Sequence, residues 1–198
     1  YSQREYEQAK ISYKEFIANY PNSKLADDAY YWIGKSAQNL NQTEEAIYNF
    51  NRVFNNYPKS ESGAAAVIEI GNIYRSENKY DSALSNYNRA IDKLGKSPRV
   101  PEILFMKGLT LSDKQSVEDA YAVFAEVIND YPTSIFADKS KLEIGIIELA
   151  ANRYERADNF FTSLSQTRSD ELGAKAQYYQ GLSLFEQGKL DSAASAFM

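Results

Sequence analysis

Cysteine and histidine are both absent from this chain of 198 residues. Without cysteine there are no disulfide bonds and no thiolate-bound metals, and without histidine the commonest general base and metal ligand is missing. Lysine and arginine number 22 against 27 aspartate and glutamate residues, a net charge of −5, which does not supply the basic surface that binds nucleic acid. No apolar stretch approaches the roughly 20 residues of a membrane-spanning helix. We therefore expect no catalytic residues, no cofactor or metal, no nucleic-acid partner and no transmembrane segment.

Glycine is also scarce, with nine residues, but five of the nine are regularly spaced. Four of these glycines stand 37 residues apart and a fifth follows after 36, and a series of alanines keeps the same spacing 12 residues further on. Small residues at a period of this length indicate closely packed helix pairs that stack as a solenoid. The two series are Gly34, Gly71, Gly108, Gly145 and Gly181, and Ala46, Ala83, Ala120, Ala157 and Ala193.

Each repeat also carries signals for the ends of its two helices. Serine is a favoured N-cap because its hydroxyl accepts a backbone N–H, so a serine series predicts the start of each first helix, with Pro98 at a first helical position. Asparagine and glycine adopt the left-handed conformation that ends a helix, and Tyr-Pro pairs end second helices because proline cannot continue them. The caps are Ser23, Ser60, Ser97, Ser134 and Asp170; the left-handed residues are Asn41, Asn78, Asn152 and Gly188; the pairs are Tyr20-Pro21, Tyr57-Pro58 and Tyr131-Pro132.

These positions resemble the tetratricopeptide repeat (TPR), a pair of antiparallel helices of about 34 residues. With Gly34 as the small residue at position 8, the family's alanine, aromatic and proline positions are matched by Ala46, Phe50 and Pro58. The resemblance implies an all-α, right-handed superhelical TPR solenoid that forms a single array. Its expected parts are the second helix of a truncated repeat at 1–22, full repeats at 23–59, 60–96, 97–133 and 134–169, and a truncated repeat at 170–198.

The array is cut inside a repeat at both ends, so we expect a piece of a longer protein, with self-association through the cut repeats as one form of partnership. The long repeats with Tyr-Pro-x-Ser exits also resemble periplasmic TPR proteins of bacterial envelopes, including outer-membrane assembly lipoproteins and the Tol-Pal-associated coordinator of cell division. This narrower resemblance implies a periplasmic or envelope-associated location, and it leaves a cytoplasmic one open.

Two motifs suggest other functions and are interpreted structurally. Residues 29–36 and 90–97 both read A-x-x-x-x-G-K-S, but a phosphate-binding loop needs a glycine-rich turn between a strand and a helix, whereas these segments belong to predicted helices. Tyr6, Tyr80 and Tyr154 recur at one repeat position, which indicates packing residues, with a carbohydrate-binding platform as the alternative.

The resemblance places the partner-binding groove on the inner face of the first helices, at positions 5, 9 and 12 of each repeat. The first two repeats offer mostly polar groups there and the last three mostly apolar groups, unless superhelical curvature or further chain covers the apolar residues. The candidate groove residues are Tyr31, Lys35, Gln38, Ile68, Asn72, Arg75, Phe105, Leu109, Ser112, Leu142, Ile146, Leu149, Tyr178, Leu182 and Phe185.

The sequence thus predicts a non-catalytic protein–protein interaction scaffold of a bacterial cell-envelope complex, which binds a protein segment, as a peptide or a helix, in its concave groove. The alternative is a regulatory or ligand-sensing TPR arm of a larger enzyme or signalling protein.

Overall fold

The structure is a computed structural model that describes residues 2–197. The first and last residues of the predicted array, Tyr1 and Met198, lie outside this range. The described residues form eleven α-helices and no strand. The helices are α1 (Gln3–Asn19), α2 (Ala26–Asn39), α3 (Thr43–Asn56), α4 (Glu61–Ser76), α5 (Tyr80–Leu94), α6 (Val100–Asp113), α7 (Val117–Asp130), α8 (Ile135–Ala150), α9 (Tyr154–Thr167), α10 (Glu171–Glu186) and α11 (Leu190–Ala196).

The chain divides into two compact units, and the division between Met106 and Lys107 falls inside α6. In the first unit the consecutive helices from α1 to α5 pack on one another in order, and α2 also packs on α4. In the second unit the same holds from α7 to α11, and α8 also packs on α10. This order of helix pairs is the all-α TPR solenoid that the sequence predicts. The repeat boundaries, and the single array, stay predictions.

The two small-residue series lie where the paired helices touch. Every alanine of the series is buried, with at most 2% of its surface exposed. Every glycine of the series lies on the first helix of a pair and faces the aromatic ring found 16 residues later, which lies on the second helix or, for Phe197, directly after it. The glycine–aromatic pairs are Gly34 with Phe50, Gly71 with Tyr87, Gly108 with Phe124, Gly145 with Phe161 and Gly181 with Phe197.

The turns between first and second helices confirm the predicted left-handed residues. Asn41, Asn78, Asn152 and Gly188 have φ values of 58°, 57°, 58° and 75°, and in each case the second helix begins two residues later. Gln115 occupies the same repeat position with a φ of 64°, although glutamine carries no sequence signal for this conformation. The three Tyr-Pro pairs also act as predicted, because α1, α3 and α7 end at the residue before each tyrosine.

The predicted N-caps are confirmed in three of five first helices. Ser60 and Asp170 accept the backbone N–H of the residue three positions on, and Ser134 accepts that of Phe136. Ser23 and Ser97 do not cap, because α2 begins only at Ala26 and α6 at Val100.

Each of these two serines instead precedes a short turn. The serine carbonyl accepts a hydrogen bond from the residue three positions later, at 3.1 Å for Ser23 and 3.0 Å for Ser97. In α6 this arrangement has a clear cause, since Pro101 has no N–H to donate to the Ser97 carbonyl one full turn back. Pro98 therefore lies in the turn and not at the first helical position.

Candidate functional site

In the first unit the polar candidates on α2 are organised by a residue of α4. The Lys35 ammonium lies 2.9 Å from Glu69 Oε1, and the Tyr31 hydroxyl donates to the same oxygen at 3.4 Å. Burial, followed by the Glu69 carboxylate, raises the pKa of Tyr31 to about 12. Because Glu69 neutralises the charge of Lys35, this surface offers less positive charge to a partner than the sequence suggests.

Glu69 is a site residue that the sequence interpretation missed. It occupies position 6 of its repeat, between the positions 5 and 9 that the TPR resemblance selects. The pair could have been predicted from the spacing, because Glu69 lies 34 residues after Lys35, which is close to one repeat length. Residues that far apart in a solenoid lie on neighbouring first helices.

The other candidates of the first unit differ in exposure. Gln38 is half-buried, and its side-chain oxygen is buried without a hydrogen-bond donor among the described residues. Ile68, Asn72 and Arg75 on α4 are also half-buried. Phe105 on α6 is only 8% exposed, so it offers little surface to a partner.

In the second unit the α8 candidates belong largely to the core. Leu142 is 6% exposed and packs with Ala157 and Phe161 of α9, which corrects its assignment to an exposed groove. Ile146 and Leu149 pack against the same cluster but stay partly exposed. This burial follows from the close packing of α8 on both α9 and α10.

Helix α10 carries the most exposed apolar candidates. Tyr178 and Phe185 are 54% and 56% exposed, and Leu182 between them is half-buried. The Tyr178 ring packs near the rings of Tyr179 and Phe197, with centroids 5.5 and 5.9 Å away. The candidates on α6 that belong to this unit, Leu109 and Ser112, are half-buried.

The electrostatics of the second unit differ from those of the first at the position of Glu69. The residue two repeats later is Glu143 on α8. Burial, followed by the neighbouring Asp113 carboxylate, raises the pKa of Glu143. Whereas Glu69 is paired with a lysine, Glu143 lies beside a second carboxylate.

Chemically, the arrangement provides surfaces for binding. Within residues 2–197 no group of three or more acidic side chains is placed to hold a metal ion. The A-x-x-x-x-G-K-S string at 29–36 lies inside α2, and the string at 90–97 covers the end of α5 and the loop after it, so neither has the strand-to-helix turn of a phosphate-binding loop.

Models of known families match most of the chain. The family YfiO, described as an outer membrane lipoprotein family, matches residues 28–163. Tetratricopeptide-repeat families match residues 142–198 and 1–23. The YfiO match covers more than half of the sequence. The chain belongs to the YfiO family.

Solved structures with a similar fold include a TPR protein and two other proteins. The TPR protein from Parabacteroides merdae ATCC 43184 is 18% identical with a TM-score of 0.66, over 96% of this chain and 70% of the other. BtubC from P. vanneervenii is 11% identical with a TM-score of 0.75, over 98% and 86%. PilF of Pseudomonas aeruginosa is 15% identical with a TM-score of 0.65, over 96% and 90%. At these identities the likeness shows the fold alone, and no curated protein sequence matches the chain.

Membership of the YfiO family, together with the TPR matches, implies a protein–protein interaction scaffold whose partners are proteins or peptides. TPR scaffold families are generally non-catalytic. None of the helices in the part of the chain that the structure describes combines the length and the apolar character needed to cross a membrane.

Proposed function

We propose that this YfiO-family protein is a non-catalytic scaffold of a bacterial cell-envelope complex that binds a helical or extended protein segment on its first helices. The family description as an outer membrane lipoprotein supports the envelope location. Fractionation of bacterial cells that express the full-length protein tests the location, and recovery in the cytosol alone would contradict it.

The observation that carries the binding role is the exposure of Tyr178 and Phe185 on α10. Both lie on one face of the helix because they are seven residues apart, which is close to two turns. Two large apolar side chains, each more than half exposed within residues 2–197, contribute a surface that burial against a partner would stabilise. Half-buried Leu182 lies between them in sequence and extends the same face.

The neighbouring helix α8 adds to this surface in two ways. Partly exposed Ile146 and Leu149 continue the apolar character, and Glu143 adds a carboxylate. An amphipathic segment with large apolar residues and a basic residue is the occupant that these groups favour. The polar group around Lys35 and Glu69 in the first unit serves as a second, separate contact surface.

A photo-crosslinking experiment tests this proposal. A photoreactive phenylalanine analogue replaces Tyr178 or Phe185 in the full-length protein inside the bacterial cell, and the same analogue replaces Tyr48 as the control. Tyr48 is 63% exposed but lies on the second helix α3. We expect an envelope protein to be crosslinked from positions 178 and 185 and not from 48. An identical product from all three positions, or none from 178 and 185, would contradict the proposal.

A further inference from the structure

Helices α3, α4 and α5 of the first unit border an open cleft with a mainly polar lining. It measures about 480 Å³, which is within the roughly 300–1,000 Å³ of small-molecule sites. We call it the α3–α5 cleft. All of the residues that line it belong to the first unit. Its lining includes the polar side chains of Asn51, Tyr74, Asp81, Ser82, Ser85 and Arg89.

The equivalent positions one repeat earlier, between α1 and α3, are bridged by an ion pair. Lys14 Nζ of α1 lies 2.7 Å from Glu45 Oε1 of α3, so two long side chains connect the helices. One repeat length of 37 residues later, these positions hold Asn51 and Ser82. Both side chains are shorter, and within residues 2–197 no hydrogen bond joins them. The sequence of α3 and α5 therefore lacks the bridge that occupies this space between α1 and α3.

The α3–α5 cleft presents hydroxyl and amide groups that a ligand can reach. Ser82 and Ser85 are exposed and lie one turn apart on α5, and Tyr74 of α4 is half-buried. Within residues 2–197 none of these three hydroxyls takes part in a hydrogen bond. Asn51 is also half-buried. Its Oδ1 accepts from Arg89 Nη2 at 2.7 Å, which leaves its amide nitrogen without an acceptor among the same residues.

The charges that line the α3–α5 cleft balance each other. Asp81 and Arg89 both line it, eight residues and roughly 12 Å apart along α5, so one negative and one positive side chain border it. A ligand with a net charge would meet repulsion from one of the two. An apolar ligand would leave the hydroxyls of Ser82, Ser85 and Tyr74 without hydrogen bonds, which costs free energy. The lining therefore favours a neutral ligand with several hydrogen-bonding groups.

We propose that the α3–α5 cleft binds a neutral sugar unit. Each sugar hydroxyl both donates and accepts, as the hydroxyls of Ser82 and Ser85 do, and the Tyr74 ring offers an apolar surface to the C–H groups of the sugar ring. This site differs from the repeated tyrosines for which a carbohydrate-binding platform is the alternative, since the Tyr80 hydroxyl donates to Asn78 Oδ1 at 2.8 Å. The cleft uses neither surface of the proposed function, so the inference does not rest on that function.

Nuclear magnetic resonance titration of the full-length protein tests the inference. The probes are the methyl β-glycosides of glucose, galactose and N-acetylglucosamine. The controls are cyclohexanol, a six-membered ring with one hydroxyl, and methyl β-D-glucuronide, which adds a carboxylate. The reporters are the side-chain amide of Asn51, the Nε–Hε signal of Arg89 and the backbone amides of Ser82 and Ser85. We expect saturable shifts with at least one neutral glycoside, with an affinity roughly fivefold above that of both controls, as one additional net hydrogen bond provides.

The double variant Asn51→Lys with Ser82→Glu supplies a matched control. It introduces into the α3–α5 cleft the pair that bridges α1 and α3 at Lys14 and Glu45, and circular dichroism checks its fold. The shifts should disappear in this variant. Ser85→Ala is a milder change, because the next repeat holds Ala122 at that position, and it should lower the affinity roughly fivefold. It keeps the test decisive if the double variant does not fold.

Four results would overturn the proposal. The first is the absence of saturable shifts with all three neutral glycosides, and the second is equal affinity for cyclohexanol or tighter binding of the glucuronide. The third is a set of shifts that survives in the folded double variant, and the fourth is an affinity that Ser85→Ala leaves unchanged.

Discussion

Gly34 and Phe50 lie in direct contact across the α2–α3 pair, and the contact leaves no space for a side chain at Gly34. A Cβ atom added to Gly34 would lie 2.6 Å from Phe50 Cε1, well inside the separation at which carbon atoms attract. Phe50 is fully buried among Ile33, Ala46 and Ile70, so its ring has little freedom to move away. The same relationship recurs in the other helix pairs, which explains why glycine keeps its spacing.

The first prediction is that Gly34→Ala destabilises the protein by roughly 1–3 kcal/mol, because the new methyl group overpacks the contact with Phe50. In a helix without such a contact, the same change stabilises by about 1 kcal/mol, since alanine has the higher helix propensity. The sign of the change in unfolding free energy therefore distinguishes overpacking from a gain in helix propensity, and urea unfolding followed by circular dichroism measures it. In a Phe50→Leu background the penalty should shrink. A stabilising Gly34→Ala would contradict the packing.

The second prediction concerns Gln115, whose φ of 64° is unfavourable for a residue with a side chain. Gln115→Gly should stabilise the protein by roughly 0.5–1 kcal/mol, because glycine adopts this conformation without steric cost. The reciprocal variant Asn78→Gln should destabilise it, since asparagine tolerates the left-handed region better than glutamine does. Thermal unfolding of both variants beside the parent provides the measurement. Equal melting temperatures for Gln115→Gly and the parent would show that the turn is not strained.

These two cases show why the architecture could be predicted from the sequence. A glycine that contacts a ring, or an asparagine in a left-handed turn, satisfies a local steric requirement that few residue types meet. The same residue type therefore recurs at a fixed spacing in the sequence. Gln115 was missed because the turn tolerates glutamine at a modest cost. The caps at Ser23 and Ser97 failed because each serine carbonyl accepts a hydrogen bond from the residue three positions later, and the helix begins only there.

The candidate site was less predictable, because exposure depends on neighbouring repeats. Leu142 and Tyr178 occupy the same repeat position, yet Leu142 is 6% exposed and Tyr178 54%. Position 5 alone cannot separate them, since α9 and α10 cover α8, whereas residues 2–197 place only α11 after α10. Glu69 was not predicted for a related reason. Its contribution is an ion pair with Lys35 on another helix, and pairing between repeats is not a property of either residue type alone.

The third prediction concerns Asp170, the N-cap of α10. A hydrogen bond from Arg168, followed by one from the backbone N–H of Gly173, lowers the pKa of Asp170 to about 2 from an ordinary value of 3.8. Because the folded pKa is depressed, the stabilising contribution of Asp170 is complete above the ordinary pKa and is lost as the pH falls through about 2. Carbon-13 resonance of the carboxyl group during an acid titration measures the pKa directly.

The variant Arg168→Gln provides the control for Asp170. It removes the guanidinium but keeps the cap on Gly173, so the pKa of Asp170 should rise part of the way to its ordinary value. Unchanged titration of Asp170 in Arg168→Gln would show that the ion pair does not form in solution.

The last prediction compares Glu143 with Glu69, two glutamates at one repeat position. Burial and the Asp113 carboxylate raise the pKa of Glu143, so the folded state favours its protonated form. The associated stabilisation is complete below the ordinary pKa of glutamate and is lost as the pH rises through the raised value. Glu143→Gln, which keeps the shape and removes the charge, should therefore stabilise the protein at neutral pH, and the gain should disappear near pH 4.

Glu69→Gln should have the opposite effect at neutral pH, because Glu69 is held by the Lys35 ammonium at 2.9 Å and accepts from the Tyr31 hydroxyl. Removing this charge leaves Lys35 without its ion-pair partner, which costs stability. Urea unfolding of both variants at pH 7 and pH 4 provides the comparison. If Glu143→Gln were destabilising at pH 7, the Glu143 carboxylate would have a cationic partner in solution, and the negative charge proposed to attract a basic segment to α8 would already be neutralised.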